Sequence, residues 1–146
     1  MDDRYLTQDY RWSFNLLSDP ELPWDAAASG VPVGGAANAW YRFDHENQSV
    51  DKFFAGTTHS LFEPQFVPRR DDAAEGDGYI VGVANDFAAM RSELIIADAH
   101  HLADGPVARV LMPFRLHMQV HGWWVQASTL PFDFGHDYDY HGPDYA

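Results

Sequence analysis

A series of short strand-like segments, none of them long, constrains the fold of this chain more than any other feature. They combine aromatic and β-branched residues, alternate with polar connections, and follow one another roughly fifteen residues apart. In order, they cover residues 39–44, 50–54, 62–67, 79–85, 93–97, 107–112 and 120–125. An aromatic content of 15% suits strands better than a helical bundle. The sequence therefore predicts an all-β fold of antiparallel sheets, as in a small sandwich, part of a barrel or a propeller blade.

The two ends of the chain differ from this middle part. Prolines and glycines interrupt the first 36 residues so often that we expect a loop held by packing, without a long helix or strand. The last residues, 133–146, are rich in Asp, Tyr, His and Gly and show no apolar face. We expect one β domain over residues 1–132 and an acidic tail over residues 133–146, and within the domain an exposed loop over 69–78 and a helical turn over 98–106.

Charge and composition exclude several functional classes. The chain has 9 Lys and Arg against 22 Asp and Glu, a net charge of −13, which disfavours binding to nucleic acid or to anionic lipid. No apolar run is long enough for a membrane span and residues 1–10 lack a signal-peptide core, so we expect a cytoplasmic protein without a transmembrane segment. Because there is no cysteine, any metal ion must be held by His, Asp or Glu.

Most of the eight histidines have ordinary explanations. His45, His100 and His101 lie in predicted turns, where solvated side chains are expected. His136 and His141 lie among the aspartates of the tail. That mixture can hold a divalent cation, but acidic tails also collect such residues without a specific ligand.

His121 and Glu63 are the two unusual positions. His121 falls in a predicted apolar strand, where a buried imidazole needs a hydrogen-bonding or metal partner. Glu63 is costly to bury in the strand 62–67 without a partner. The residues alone leave two interpretations open: a metal-bound His121 supported by Glu63, or a core histidine with Glu63 in an ion pair to Arg69 or Arg91.

Several motifs resemble the C-terminal section of the carotenoid cleavage oxygenases, the family of retinal pigment epithelial membrane protein type. They are EPQFVPR (63–69), EGDGY (75–79), RSEL (91–94), PVARV (106–110) and HGWW (121–124). GVAN (82–85) and LADGP (102–106) are most similar to the lignostilbene dioxygenase-like branch. The resemblance is firm over residues 37–126. It implies that the chain is an incomplete, C-terminal part of a seven-bladed β-propeller.

The resemblance also implies a chemistry. Such enzymes hold a non-haem Fe(II) with four histidines and use O₂ to split a carbon–carbon double bond into two carbonyl products. His121 matches the last iron ligand, and Glu63 matches a glutamate that supports a ligand imidazole. The substrate would be a hydrophobic or phenolic alkene, such as a carotenoid, an apocarotenoid or a stilbene. No other catalytic or cofactor-binding residue is identified.

Departures from the family pattern keep two other interpretations open. Gln119, Val120 and Trp123 differ from the residues usual around this histidine, and no other histidine matches the three remaining iron ligands. We therefore expect the chain alone to be inactive and to need the remainder of the propeller as its partner. The alternatives are a non-catalytic β-sheet module that pairs with another chain, and an unrelated acidic β protein with a metal site in its tail.

Overall fold

The computed structural model describes residues 2–131, which form eight strands in two antiparallel sheets. The small sheet contains β1 (Trp12–Leu17), β2 (Ala39–Asp44) and β3 (Ser49–Phe54). The large sheet contains β4 (His59–Leu61), β5 (Gln65–Pro68), β6 (Gly78–Asp86), β7 (Arg91–Asp98) and β8 (Pro106–Leu111). Helical structure is limited to α1 (Ala26–Ser29) and 3-10 turns at Asp3–Tyr5, Leu102–Asp104 and Ala127–Thr129. The prediction of an all-β fold with antiparallel sheets is confirmed.

The small sheet is a meander in the order β1-β2-β3. Its second hairpin turns at residues 45–48, where the Asp44 carboxylate accepts hydrogen bonds from the backbone N–H groups of Glu46 and Asn47. Arg11 binds the same carboxylate at 2.8 Å. The hydrogen bond from Arg11, followed by those from Asn47 and Glu46, outweighs burial and holds the pKa of Asp44 well below its ordinary value. The ionised carboxylate of Asp44 therefore fixes the turn.

The large sheet is organised around the long β6–β7 hairpin. On one side, β4 pairs with residues 84–86 of β6 and β5 pairs with residues 78–81, so both short strands share one edge. The sequence predicts one strand over 62–67 instead, and this is wrong because the strand is interrupted at residues 62–64. Pro64 lies in the interruption and has no N–H group for a ladder hydrogen bond. On the other side, β8 pairs with β7 and forms the outer edge.

One apolar core joins the two sheets. Trp40 and Phe53 of the small sheet are buried against Leu61 and Ile95 of the large sheet. The Trp40 indole N–H donates to the carbonyl of Phe62 at 2.7 Å. A Cβ atom at Gly82 would lie 2.5 Å from the Trp40 ring, so the ring reaches this depth only because position 82 has no side chain. The core therefore anchors the backbone next to Glu63.

Two further expectations from the sequence are wrong. β1 lies inside the first 36 residues, because Trp12, Phe14 and Leu16 alternate with polar residues and pair with β2 despite the surrounding prolines. The predicted strand over 120–125 is absent, and residues 113–126, called here the His121 segment, are irregular. Its aromatic composition resembles that of a strand, but no described strand pairs with it.

The predicted connections fit the structure more closely. Residues 69–77 form no strand, and β6 begins at Gly78. The turn over 98–106 contains the 3-10 turn Leu102–Asp104, and the Asp98 carboxylate accepts the His100 N–H at 2.9 Å. None of the described helices is long and apolar enough to cross a membrane. The predicted tail over 133–146, with His136 and His141, lies outside the described residues.

Candidate metal centre

His121 and Glu63 meet at the surface of the large sheet. The imidazole Nδ1 of His121 lies 3.1 Å from Oε2 of Glu63, and the Gly122 N–H donates to the same oxygen at 3.4 Å. An ionised carboxylate can only accept, so Nδ1 carries the proton and donates to Glu63. This leaves the lone pair on Nε2, which makes no hydrogen bond within residues 2–131. A carboxylate on one imidazole nitrogen and a free lone pair on the other is the usual arrangement of a metal-binding histidine.

The pair is not buried as the sequence predicts. The His121 side chain is 82% exposed and that of Glu63 is 39% exposed. The prediction was wrong because it rested on a strand over 120–125, whereas the segment lies outside the sheets and residues 2–131 do not cover it. The exposed His121 side chain is accessible to a metal ion.

The alternative ion pairs proposed for Glu63 are also wrong. Arg69 binds Asp77 at 2.9 Å and Asp98 at 2.8 Å. Arg91 points to Glu93 at 3.6 Å. Neither arginine pairs with Glu63, whose described side-chain contacts are to His121 and Gly122. The carboxylate of Glu63 therefore binds the His121 segment.

An apolar cavity of about 230 Å³ lies beside His121. One wall is the outer face of the large sheet, with Val81, Val83 and Leu94, and the other wall is the backbone and side chains of residues 119–124. Such a lining suits an apolar or aromatic group better than a charged one. The cavity thus places a hydrophobic surface next to the accessible imidazole nitrogen.

A second group of metal-ligating side chains, which the sequence analysis did not find, lies at the end of β6 and the start of β7. His59 Nε2 is 3.9 Å from Asp86 and 3.6 Å from Glu93. Arg109 binds Glu93 at 2.8 Å and also donates to a backbone carbonyl. Because this arginine already neutralises the buried Glu93, we interpret the group as an ion-pair network that joins β4, β6, β7 and β8.

Hydrogen bonds keep one member of this network ionised. Burial alone would raise the pKa of Asp86, but the Thr58 hydroxyl, the N–H groups of Ala89 and Ala88 and the charge of His59 outweigh it and lower the pKa. The signal in the sequence was a histidine at the start of one strand and carboxylates near the facing ends of two others. Their meeting depends on the β4–β6 register, which the sequence did not specify.

Among the other described histidines, His101 makes a similar contact: its Nδ1 lies 3.2 Å from Oδ1 of Asp98, a carboxylate that Arg69 also binds. His45 and His101 are exposed, as predicted. His100 is half-buried, and its ring packs edge-on against Trp12 at 5.7 Å, so the expectation of a solvated side chain is wrong here. Burial, and secondarily the positive charge of Arg42, lowers the pKa of His100. This imidazole therefore belongs to the packing of the small sheet.

A protein-family profile described as retinal pigment epithelial membrane protein matches residues 1–126 of this chain. The chain belongs to this family of carotenoid oxygenases. The resemblance seen in the sequence is thereby confirmed, including its similarity to lignostilbene dioxygenases. The interpretation as an unrelated acidic β protein is wrong.

Several curated relatives are oxygenases. Lignostilbene-α,β-dioxygenase isozyme III of Sphingomonas paucimobilis is 39% identical over 131 residues, which are 90% of this chain and 26% of that protein. Resveratrol cleavage oxygenase 1 of Aspergillus fumigatus is 36% identical over 89% of this chain and 26% of its own length. Isoeugenol monooxygenase of Pseudomonas putida is 39% identical over 85% of this chain and 26% of its own length. The chain spans about a quarter of the length of these relatives.

Solved structures agree with these relatives. The crystal structure of Pseudomonas brassicacearum lignostilbene dioxygenase superposes with a TM-score of 0.79 at 39% identity, covering 85% of this chain and 26% of that one. Cobalt-substituted Synechocystis apocarotenoid oxygenase superposes with a TM-score of 0.66 at 24% identity, covering 82% of this chain and 23% of that one. The second likeness shows a shared fold.

Proposed function

We propose that this chain is the C-terminal part of a seven-bladed propeller in a non-haem Fe(II) dioxygenase. The enzyme would cleave a carbon–carbon double bond of a carotenoid, apocarotenoid or stilbene with O₂ and release two carbonyl products. The observation that carries the proposal is the His121–Glu63 pair, in which the carboxylate accepts the hydrogen bond from Nδ1–H and Nε2 is left free to bind a metal. Membership of an oxygenase family supports the same assignment.

The donor set of this chain fits one ligand of such an iron, with three further histidines to be supplied by other parts of the propeller. When bound, the iron would supply the activation of O₂. Neutral imidazoles suit Fe(II) and leave its positive charge uncompensated, and a carboxylate such as Glu63 restores basicity to its ligand. The role of Glu63 is to accept the hydrogen bond from Nδ1–H and so to orient the ring.

The cavity beside His121 supports an apolar substrate. Val81, Val83 and Leu94 contribute a wall without charged groups next to the imidazole. An alkene placed against this wall would gain from burial of its apolar surface and would lie near the metal ligand. We propose that the cavity forms part of the wall of the substrate site once the propeller is complete.

The partner of this chain would be the remainder of the propeller. β8 is the outer strand of the large sheet, and its side chains Val107, Val110 and Leu111 are exposed. We expect strands from the remainder of the propeller to pair with this edge and to cover the exposed His121. The chain spans about a quarter of its curated relatives, which supports the same conclusion, and we expect the chain alone to be inactive.

Replacing Glu63 tests the role of the pair. In the native gene product that carries this chain, Glu63→Gln should lower iron affinity or turnover roughly 10–100-fold, because the neutral amide is a weaker acceptor for the Nδ1 proton. Glu46→Gln is the matched control, since Glu46 is an exposed carboxylate that binds Arg11 at 2.8 Å, whereas the contact of His121 is to Glu63. Unchanged iron content and turnover in Glu63→Gln would remove Glu63 from the metal centre.

The exposed edge of β8 also favours a second candidate, a non-catalytic module that adds its sheet to another chain. The mass of the native gene product, found by tracking a peptide from residues 92–109, separates the two. A product several times larger than 16.5 kDa supports the enzyme. A product of 16.5 kDa whose isolated form unfolds cooperatively supports the module.

A further inference from the structure

The His121 segment leaves the large sheet after β8, and only a few contacts hold it. Its far end touches Glu63 through His121 and Gly122, and Trp123 donates from its indole to Asp3 at 3.3 Å. These contacts are exposed and therefore weak individually. The position of the segment must be set by a stronger attachment elsewhere.

That attachment is at Leu116, five positions before His121. The Leu116 N–H donates to Oγ of Ser92 at 2.7 Å, and the Leu116 carbonyl accepts from Nδ2 of Asn85 at 3.0 Å. The Ser92 hydroxyl in turn donates to Oδ1 of Asn85 at 2.5 Å. Both polar backbone groups of one residue in an irregular segment are thus bound by two side chains of the sheet.

The β6–β7 register places the side chains of Asn85 and Ser92 where both can bind Leu116. Asn85 and Ser92 are direct partners across the hairpin. Their residues are 3% and 0% exposed, respectively. Buried polar side chains in a sheet are costly unless every group is paired, and here the partner that completes the pairing is Leu116. The backbone of Ser92 adds bonds to Met112 and Phe114, so the whole start of the segment is fixed.

We propose that Asn85 and Ser92 are positioning residues for the metal centre, which set where His121 lies by fixing Leu116. The inference rests on the proposed role of His121 as an iron ligand. Neither side chain touches His121 or Glu63, so the effect passes through five residues of backbone. Loss of either side chain should free the segment and weaken the metal site while the sheets remain folded.

Ser92→Ala is the most selective variant, because the backbone bonds of Ser92 to Met112 and Phe114 remain and only the side-chain bonds are lost. Asn85→Ala is the second variant. Thr58→Val is the matched control, since it removes one side-chain bond, to Asp86 at 2.8 Å, near the same end of the large sheet but without contact to the segment. Ser92→Thr retains the hydroxyl and should restore the parent behaviour.

The measurements are made on the native gene product. Hydrogen exchange detected by mass spectrometry should increase about tenfold in peptides from residues 115–124 of Ser92→Ala, with β6 and β7 unchanged relative to Thr58→Val. The dissociation constant of iron, from chelator competition, should rise about tenfold in Ser92→Ala and Asn85→Ala. An unchanged iron affinity, or an equal loss in Thr58→Val, would overturn the proposal.

A separate variant distinguishes this failure from failure of the proposed function. If His121→Ala binds iron with the dissociation constant of the parent, His121 is not a ligand and the proposed metal centre is wrong. Hydrogen exchange still decides whether Ser92 and Asn85 fix the segment, because that readout involves no metal. If His121→Ala loses iron and Ser92→Ala does not, the metal centre stands and the positioning role is excluded.

Discussion

In the sheets, Trp40, Phe53 and Ile95 are enclosed on all sides, whereas the His121 segment leaves Trp123 77% exposed. Both regions are apolar and aromatic in sequence. They differ in what satisfies their backbone: the strands pair with one another, while the segment depends on a few side chains such as Ser92 and Asn85. The comparison shows that strand pairing within this chain defines the sheets, whereas the candidate ligand lies on a segment that pairs with no described strand.

The largest effect is expected in the shared core. Trp40→Ala should reduce the free energy of unfolding by about 3–5 kcal/mol, because it leaves a large cavity and an unsatisfied Phe62 carbonyl. Trp123→Ala, at an exposed indole, should change it by less than about 0.5 kcal/mol. Urea unfolding of both variants of the native gene product measures the difference. Similar losses would show that the His121 segment is packed as firmly as the core.

A smaller effect is expected from two glycines, one in each region. Gly82→Ala should cost about 1–3 kcal/mol, since the new Cβ would lie 2.5 Å from the Trp40 ring. Gly122→Ala should be nearly neutral, because its Cβ would meet its nearest neighbour, Gln65, at 3.9 Å. The thermal midpoints of the two variants provide the comparison. Equal midpoints would contradict the close approach of Trp40 to β6.

Acid provides a third, weaker test, directed at the small sheet. Because the pKa of Asp44 is depressed in the folded state, its contribution to stability is complete above the unfolded value of about 4 and is lost as the pH falls below it. The Asp44→Asn variant should therefore lose less stability than the parent between about pH 5 and pH 2. Urea midpoints at several pH values measure this, and parallel profiles would show that Asp44 is not the responsible group.

Prediction from sequence succeeded for segments that have a strand-like residue pattern and also pair with another strand of this chain. The strands around Trp40, Val83 and Ile95 were found because aromatic and β-branched residues bounded by turns have few other structures available. The alternation of Trp12, Phe14 and Leu16 was overlooked because prolines surround it. The segment around His121 was assigned as a strand because composition does not reveal whether a partner strand exists.

The candidate site was found in part. Glu63 and His121 were selected as unusual residues, and the structure brings them together, but their exposure was predicted wrongly. The pairing of Leu116 with Ser92 and Asn85 was not found at all. A serine and an asparagine in strands carry no sequence signal for this role, since it depends on register and on the path of a segment without periodicity.

The interruption between β4 and β5 determines what holds the carboxylate of Glu63. Phe62 is held on one side of the gap by the Trp40 indole and by β6, and Gln65 resumes pairing on the other side. The carboxylate of Glu63 is therefore carried by a backbone whose position is set when the sheets fold. Its imidazole partner sits on an outer segment with few attachments. The two members of the pair thus belong to different parts of the molecule: the sheets hold the acceptor, and the His121 segment holds the donor.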